Sequence, residues 1–577
     1  MKAVTSLLSL GIAASATMPA RALAPAFDEA PVRRDSAPAS VLHPQDGTNE
    51  PGVALGENFE SLGLGIGLRG PAGSKVIRQV GGSEVDFVHE KNKWSLRVAR
   101  MVLTQPMKLA SSKDGDGAKK VGLMEVTLDR LKDDLPGATV LRNDVVKVGQ
   151  IDVGMIALRY VKGLETLLSQ QAIVRSSDQV YFTLTLTSPG SKAAGKDPGD
   201  DPGERQAVET FEAVLDTVRL LDQRPLVRDQ EDRYYATLAL LTNLGAKGRL
   251  EGKLIPKQWF RVQRGGKDIG YIYTVEEVAD GIPGDPNAAL RRKKAPRRPG
   301  PEGILVGTRS RMLASETTRA DVQSWMFCTP DRRQEEWSTV QLVQNMKDAS
   351  QFDNATIVGT SSWRTGVRLD RRAHEEGLRG EVDDPNQPPV RQSQDHFLSV
   401  TQSAKTQNFE PLNQSLPDYY LPQAVSHLLP RLLPADQPKK YLFAVYVPDV
   451  RKVMHRYLDV AEEKQVKFAG ETIRAVAITD RIGVEGSITT HYVSPGGQYL
   501  GSENPDTGVT VLPTSEAKLL EIWKDADLTR PADVKPGAAK TDQASAVKAP
   551  GGAAAPATAA EHVGPARGQT PIKRQGK

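Results

Sequence analysis

The chain has 577 residues, 39 of them proline and 50 glycine, a formal charge of +4 and one cysteine. Such a length implies several folded units. The small net charge excludes a protein defined by wholesale contact with nucleic acid, and a lone thiol excludes an internal disulfide framework.

The N-terminus reads MKAVTSLLSLGIAASATMPARALA. Lys2 gives a short positive region, Val4 to Ala16 is apolar or small, and Ala22-Leu23-Ala24 fits the small-x-small rule before a cleavage site. Residues 1–24 therefore read as a signal peptide, too short to span a bilayer well. Residues 25–56 are rich in Pro, Ala and charge and read as a disordered linker, because they carry too little apolar surface to offset the entropy of ordering. The tail 530–577 reads the same way.

The stretch LGLGIGLRGPAG contains Gly65-Ile66-Gly67-Leu68-Arg69-Gly70, the spelling G-x-G-x-x-G of a dinucleotide loop. That motif needs a helix N-terminus after it to meet the pyrophosphate. Pro71-Ala72-Gly73 follows instead, so the stretch reads as a strand with Ile66 and Leu68 on one face and a turn at Pro71 to Gly73.

Residues 57–222 form the first expected domain. WSLRVARMVL alternates as a half-buried strand. In VGLMEVTLDRLKDDLPG, Met124, Leu128, Leu131 and Leu135 fall on one helix face that ends at Pro136-Gly137. Ser177-Asp178 reads as a hairpin turn. Val180, Phe182, Leu184 and Leu186 share one face of the strand that follows. ERQAVETFEAVLDTVRLL spaces Val208, Phe211, Leu215 and Val218 as a closing helix. The expected class is α+β, an antiparallel sheet with packed helices. On the opening GIGLRGPAG strand, the strand at Trp94, the LMEVTLDRL helix and the TFEAVLDTVRLL helix, this domain resembles the family that unites the PsbP proteins and DcrB. The resemblance implies a binding or assembly role and transfers no active-site residue.

Residues 223–247 read as a connector with a short helix at Tyr234 to Leu244. The second expected domain, 248–529, is larger, antiparallel and β-rich. KQWFRVQRGGKDIGYIYTVEE is a hairpin turning at Gly265-Gly266, with Ile269, Tyr271, Tyr273 and Val275 on one face. Seven further runs read as strands, and YVSPGGQYL as another hairpin. One helix is expected in LPDYYLPQAVSHLLPRLLP, where Leu421, Val425, Leu428, Leu429 and Leu432 group together. Pro422 suits its first turn, and Pro430 bends or ends it. VRKVMHRYLDVAEEK is a candidate second helix. The W-F-x-V opening near Trp259, the repeated strands and the Tyr492 to Leu500 hairpin are similar in architecture to the half-barrels of LolA-like lipoprotein carriers. That resemblance implies an apolar concave face. Trp259, Tyr271, Tyr273 and Tyr492 are the candidates for a ligand face there.

Catalytic and cofactor motifs are missing from the pattern. His374-Glu375-Glu376 lacks the second His that would give two zinc ligands on one helix face. The run from Asp114 to Glu125 departs from a calcium loop at Ala118 and Lys119. No nucleophile elbow or complete phosphate loop occurs. His396, His427, His455 and His491 could converge only in three dimensions. No catalytic residue, cofactor or metal is therefore assigned. Cys328 reads as a small buried apolar residue. Arg291, Arg292, Lys293, Lys294, Arg297 and Arg298 crowd a Pro-rich loop at 282–302. They are candidate polyanion contacts, without the aromatic interleaving that specific nucleic-acid binding uses. The sequence thus points to an exported, periplasmic or extracellular, non-catalytic envelope protein that binds an apolar ligand, a lipid or a protein partner, with no membrane span in the mature chain. A secreted hydrolase assembled only in space, and an envelope scaffold touching a polyanion through its basic loop and tail, are the alternatives.

Overall fold

The computed structural model describes residues 54–526 and 528, apart from 79–83, 104, 114–118, 178, 192–200, 245–249, 284–300, 349, 351, 364–395 and 406. By backbone contacts the chain divides into two units, residues 1–533 and 534–577, the second lying outside the described residues. The expected signal peptide, most of the expected linker, the tail, the basic cluster Arg291 to Arg298, His374 and the Asp114 to Gly117 run also lie outside them.

The G-x-G-x-x-G stretch is a strand. Ile66–Pro71 pairs antiparallel with Leu55–Ser61 and with Arg219–Leu220 in a three-stranded sheet. Ile66 and Leu68 are fully buried. Its glycines serve packing: a Cβ on Gly70 would come within 2.4 Å of the Phe87 ring, so only glycine admits that approach.

A seven-stranded antiparallel sheet follows. Its order is Lys75–Arg78, Glu84–His89, Trp94–Val102, Val180–Pro189, Glu165–Arg175, Ile151–Lys162 and Thr139–Val148. Side chains alternate across it, and one helix covers each face. Helix α1 (Leu123–Asp134) buries Met124 and Leu128 against Ile156, Leu158, Ile173 and Tyr181. Helix α2 (Pro202–Asp216) buries Phe211, Val214 and Leu215 against Leu96, Leu184 and Leu186. Asp201 caps α2, accepting from Gly203 N at 2.9 Å and Glu204 N at 3.2 Å, with Pro202 in the first turn.

Helix α3 runs from Arg224 to Leu244, ten residues longer than the expected Tyr234–Leu244 segment. Its first half is too polar to show periodicity and is held by tertiary partners. Arg233 pairs with Asp229 at 2.6 Å and with Asp459, and Gln230 donates to the Tyr457 hydroxyl at 2.6 Å.

Fifteen strands between Lys257 and Thr514 form one antiparallel sheet. Edge to edge the order is Gln407–Asn408, His396–Ala404, Phe352–Trp363, Gln334–Asn345, Thr318–Cys328, Gly303–Ser315, Lys267–Ala279, Lys257–Arg264, Val509–Thr514, Tyr499–Asn504, Thr489–Val493, Glu471–Ile482, Lys452–Phe468 and Lys439–Val447. Leu412–Ser415 also pairs with His396–Ala404. The mixture of these sheets with five helices among the described residues is the expected α+β class.

The large sheet curls. Helix α4 (Gln423–Leu432) makes side-chain contacts with strands from both halves of the order, which a flat sheet would not allow. Gln423 N reaches Glu335, Ser426 reaches Arg456, and Arg431 reaches Glu276. One short segment bridges the two edges. Leu412–Ser415 pairs with one edge region, and a few residues later Tyr420 bridges Ala444 of Lys439–Val447 in parallel. Trp337 and Tyr446, from opposite halves, lie with ring centroids 5.5 Å apart.

The candidate second helix VRKVMHRYLDVAEEK is instead part of the strand Lys452–Phe468. Residues 453–458 are buried on both faces. Leu458 packs with the core around α4, and Tyr457 meets α3. Burial on both faces removes the alternation that would have marked a strand. Helix α5 (Glu516–Ile522) closes the described chain, and Trp523 after it lies 6.0 Å from the Tyr271 ring.

Candidate functional site

Eight of the ten residues of helix α4 are buried and the other two, Ser426 and His427, partly so, which is unusual for a helix that includes Gln423, His427 and Arg431. Its apolar residues Val425, Leu428, Leu429 and Leu432 join Ile304, Val306, Met326 and Trp337 in the largest core cluster. Its polar residues meet three buried clusters. At its N-terminus, Glu335 accepts from Gln423 N at 2.5 Å, Ser361 Oγ at 3.0 Å and the Tyr420 hydroxyl at 3.1 Å. The carboxylate so placed satisfies an orphan N–H and complements the helix dipole. Burial nevertheless pushes the Glu335 carboxyl up to about 7, the three donors offsetting only part of that cost. His396 Nε2 lies 3.3 Å from Ser361 Oγ, and burial, aided by the Arg332 charge, pushes it down to about 4.

In the middle of the helix, Arg456 forks onto Asp480 at 2.9 and 2.5 Å and donates to Ser426 Oγ at 2.5 Å. His491 stands between Asp480 and Tyr499, 3.3 Å from each. Burial would raise Asp480, but Arg456 and His491 overcome it and hold the carboxyl below its ordinary value. Near the C-terminus, Arg431 pairs with Glu276 and donates to Lys253 O at 2.9 Å. Gln258 and Ile255 N complete Glu276 at 2.7 and 2.8 Å. His427 is 3.8 Å from Glu276, and burial, then Arg431 and Arg456, pushes it down to about 3. These groups hold one another in place. A pair of this kind adds little net stability, but removing one partner strands a buried charge.

Beyond the α4 layer, the same sheet face turns polar. Thr274, Thr308, Ser324 and Thr339 stand directly opposite one another on four successive strands. Ser324 and Thr339 share a hydrogen bond at 3.0 Å. This band separates the core around α4 from a second apolar layer of Phe260, Val262, Ile272, Met312 and Val511. Four side-chain atoms in and beside the band are shielded from water with no hydrogen-bond partner: Thr274 Oγ1, Ser310 Oγ, Gln341 Nε2 and Gln402 Oε1. Their residues are 0, 6, 2 and 3% exposed.

The aromatic residues singled out in the sequence lie elsewhere. Thr274 and Glu276 face α4, so Tyr271 and Tyr273, and Trp259 opposite Tyr273, face the other side of the sheet. Trp259 stacks on Tyr273 at 6.0 Å and Tyr271 meets Trp523. His491 faces inward, so Tyr492 is also on the outer side, 4.5 Å from Phe468, where its hydroxyl donates to Glu503 at 2.7 Å. Tyr271, Tyr273 and Tyr492 are buried and Trp259 is half-buried. The bare alternation of Ile269, Tyr271, Tyr273 and Val275 could not tell which face was inside.

Of the four histidines named together, His396, His427 and His491 line the α4 interior in separate clusters. His455 pairs instead with Tyr419 at 3.0 Å. Cys328 is fully buried, its thiol donates to Thr329 O at 3.1 Å, and burial pushes its pKa well up, which leaves no reactive thiolate. Among the described residues, no group of three or more His, Cys, Asp or Glu could hold a metal ion, and no helix is long and apolar enough to cross a membrane. The inward residues Glu335, Asp480, Thr274 and Gln341 were missed, although EEWSTVQLVQ carried a signal. Its alternate positions Glu335, Trp337, Thr339, Gln341 and Val343 are all buried, and three of those five are polar.

No family model and no curated protein matches the chain. Solved structures similar to it include a β-barrel-like protein with a domain of unknown function from Brucella abortus, 11% identical, covering 45% of this chain and 95% of that one at a TM-score of 0.26. The cyanobacterial PsbP from Synechocystis is 13% identical and covers 30% and 98% at 0.22. A protein from Bacteroides thetaiotaomicron is 12% identical and covers 38% and 86% at 0.20.

Proposed function

We propose that this chain is an exported, non-catalytic protein of the cell envelope that works by holding a protein partner. In this reading residues 57–222 are a PsbP/DcrB-like α+β domain and residues 248–529 a LolA-like half-barrel that serves as a scaffold. One observation carries the choice of a protein partner over an apolar ligand: α4 occupies the interior of the curled sheet and is itself part of its largest core. A carrier of acyl chains would need that space, whereas a scaffold works through its outside. Export rests on Lys2, the apolar run and Ala22-Leu23-Ala24. Contact of Arg291 to Arg298 with a polyanion is compatible with this reading and independent of it.

Two measurements test the proposal. Cell fractionation with N-terminal sequencing should find a mature chain that begins near Pro25, outside the cytoplasm; an intact Met1 in the cytoplasm refutes export. Titration with N-phenyl-1-naphthylamine, whose fluorescence rises in apolar sites, should show no saturable binding. Stoichiometric binding at micromolar concentration would restore the apolar-ligand reading.

A further inference from the structure

We propose that Glu485 is a latch that holds the N-terminal part of the chain against the curled sheet, and that this part swings about Asp222 when the latch opens. The inference does not depend on the protein-partner reading, because the position of one part against the other is measured with no ligand or partner present. It rests on two hydrogen bonds that cross between the parts and end on one carboxylate. Glu485 Oε1 accepts from Gly63 N at 3.1 Å, and Glu485 Oε2 accepts from Arg78 Nη1 at 3.2 Å.

The first reason is that the cores are separate. The apolar clusters of the N-terminal part draw only on residues 55–220, and those of the large sheet and its helices only on residues 226–512. Among the described residues, no strand pairing joins the sheets of the two parts. Domains that share no apolar core move relative to one another unless a specific contact holds them.

The second reason is the joint. Leu221 N donates to Gly65 O at 2.9 Å and so belongs to the N-terminal part. Val227 N donates to Gln223 O at 3.0 Å and begins α3, whose Leu240 and Leu241 lie in the core around α4. Only Asp222 stands between, and a hinge needs no more than a few such residues to absorb a change in φ and ψ. Gln223 packs its side chain over the turn at Gly65, where its amide Nε2 and Oε1 are shielded from water without a partner. That arrangement costs free energy while the parts are docked, and the amide regains water when the joint opens. The third reason is the mounting of the latch. Val484 is buried in the core around α4, and Gly483 N donates to His455 O at 2.8 Å, so Glu485 stands on a fixed base. The Arg78 side chain that it holds is 48% exposed, and an ion pair so open to solvent is weakened by salt.

The experiment uses the full chain with nitroxide labels at two exposed positions, Lys132→Cys on α1 and Thr401→Cys on the strand His396–Ala404. Cys328 is fully buried and stays unlabelled. Pulsed electron–electron double resonance should read one narrow distance distribution in this labelled parent. Glu485→Ala should broaden it and shift it away from the parent's distance. Glu485→Gln keeps an acceptor for Gly63 N but loses the charge, and should fall between the two. Arg78→Ala should also broaden the distribution, and it stands in if Glu485→Ala fails to fold. About 1 M NaCl, where the Debye length is about 3 Å, should broaden the parent and leave Glu485→Ala unchanged. A Glu485→Ala distribution as narrow as the parent's overturns the proposal. So does a parent distribution that is already broad at low salt. A lowered melting temperature with an unchanged distribution also overturns it, because the carboxylate would then only stabilise the turn it touches.

Discussion

Three buried titratable groups around α4 give a signed prediction for stability against pH. His427 is held down to about 3 and His396 to about 4, against an ordinary 6.5. Glu335 is held up at about 7, against 4.5. Between pH 4.5 and 6.5 the folded protein therefore keeps both histidines neutral and Glu335 protonated. Unfolding in that window takes up one proton at each histidine and releases one at Glu335. The histidine contribution is fully present above about pH 6.5 and is lost as pH falls; for His427 its whole span is about 5 kcal/mol. The Glu335 contribution has the opposite sign. It is fully present below about pH 4.5 and is lost as pH rises toward 7.

From these three groups the net uptake is one proton, a tenfold rise in the unfolding equilibrium constant per pH unit of acidification. His427→Gln should lower that uptake from one to about zero. Glu335→Gln should raise it to about two, making the variant more acid-sensitive than the parent. Urea unfolding at several pH values between 4.5 and 6.5, followed by tryptophan fluorescence, measures these slopes. Exposed carboxylates contribute equally to all three proteins and cancel in the differences. A Glu335→Gln slope shallower than the parent's, or a His427→Gln slope equal to it, refutes the placement of these groups.

Asp480→Ala leaves Arg456 and His491 buried without their carboxylate, and equilibrium unfolding should show a loss of about 3–5 kcal/mol. Gly359→Ala would put a Cβ 2.1 Å from the indole of fully buried Trp337, and should cost about 1–3 kcal/mol with a shifted tryptophan emission. Cys328 should resist a thiol-specific chromogenic reagent in the native protein and react stoichiometrically in denaturant.

Much of the fold was written locally. The α1 and α2 faces and the strand at Trp94 each obey one period, because each has one buried and one more exposed face, and the hairpin at Gly265-Gly266 was marked by its turn residues. Legibility failed where burial was two-sided. Lys452–Phe468 resembled a helix because Tyr457 and Leu458 are both buried, on opposite faces. The first half of α3 was invisible because its partners, Asp459 and Tyr457, lie more than two hundred residues away. The interior was hidden for the same reason. Glu335, Arg456, Asp480 and Glu276 look like surface charges in sequence; strand pairing sets Glu335 beside Ser361 and Arg456 beside Asp480, and the curl of the sheet around α4 brings Gln423, Ser426 and Arg431 to them. The aromatic run at Tyr271 and Tyr273 was read with the right period, but period alone does not say which face the chain will close over.

Helix α4 is a permanent part of the core and not a lid. Amide hydrogen exchange on Gln423–Leu432 tests this directly. Its protection should equal that of the strands Gly303–Ser315 and Thr318–Cys328, which pack against the helix, so that all three open only when the large sheet unfolds. Exchange of the helix orders of magnitude faster than those strands would contradict it and make α4 a door to an apolar chamber.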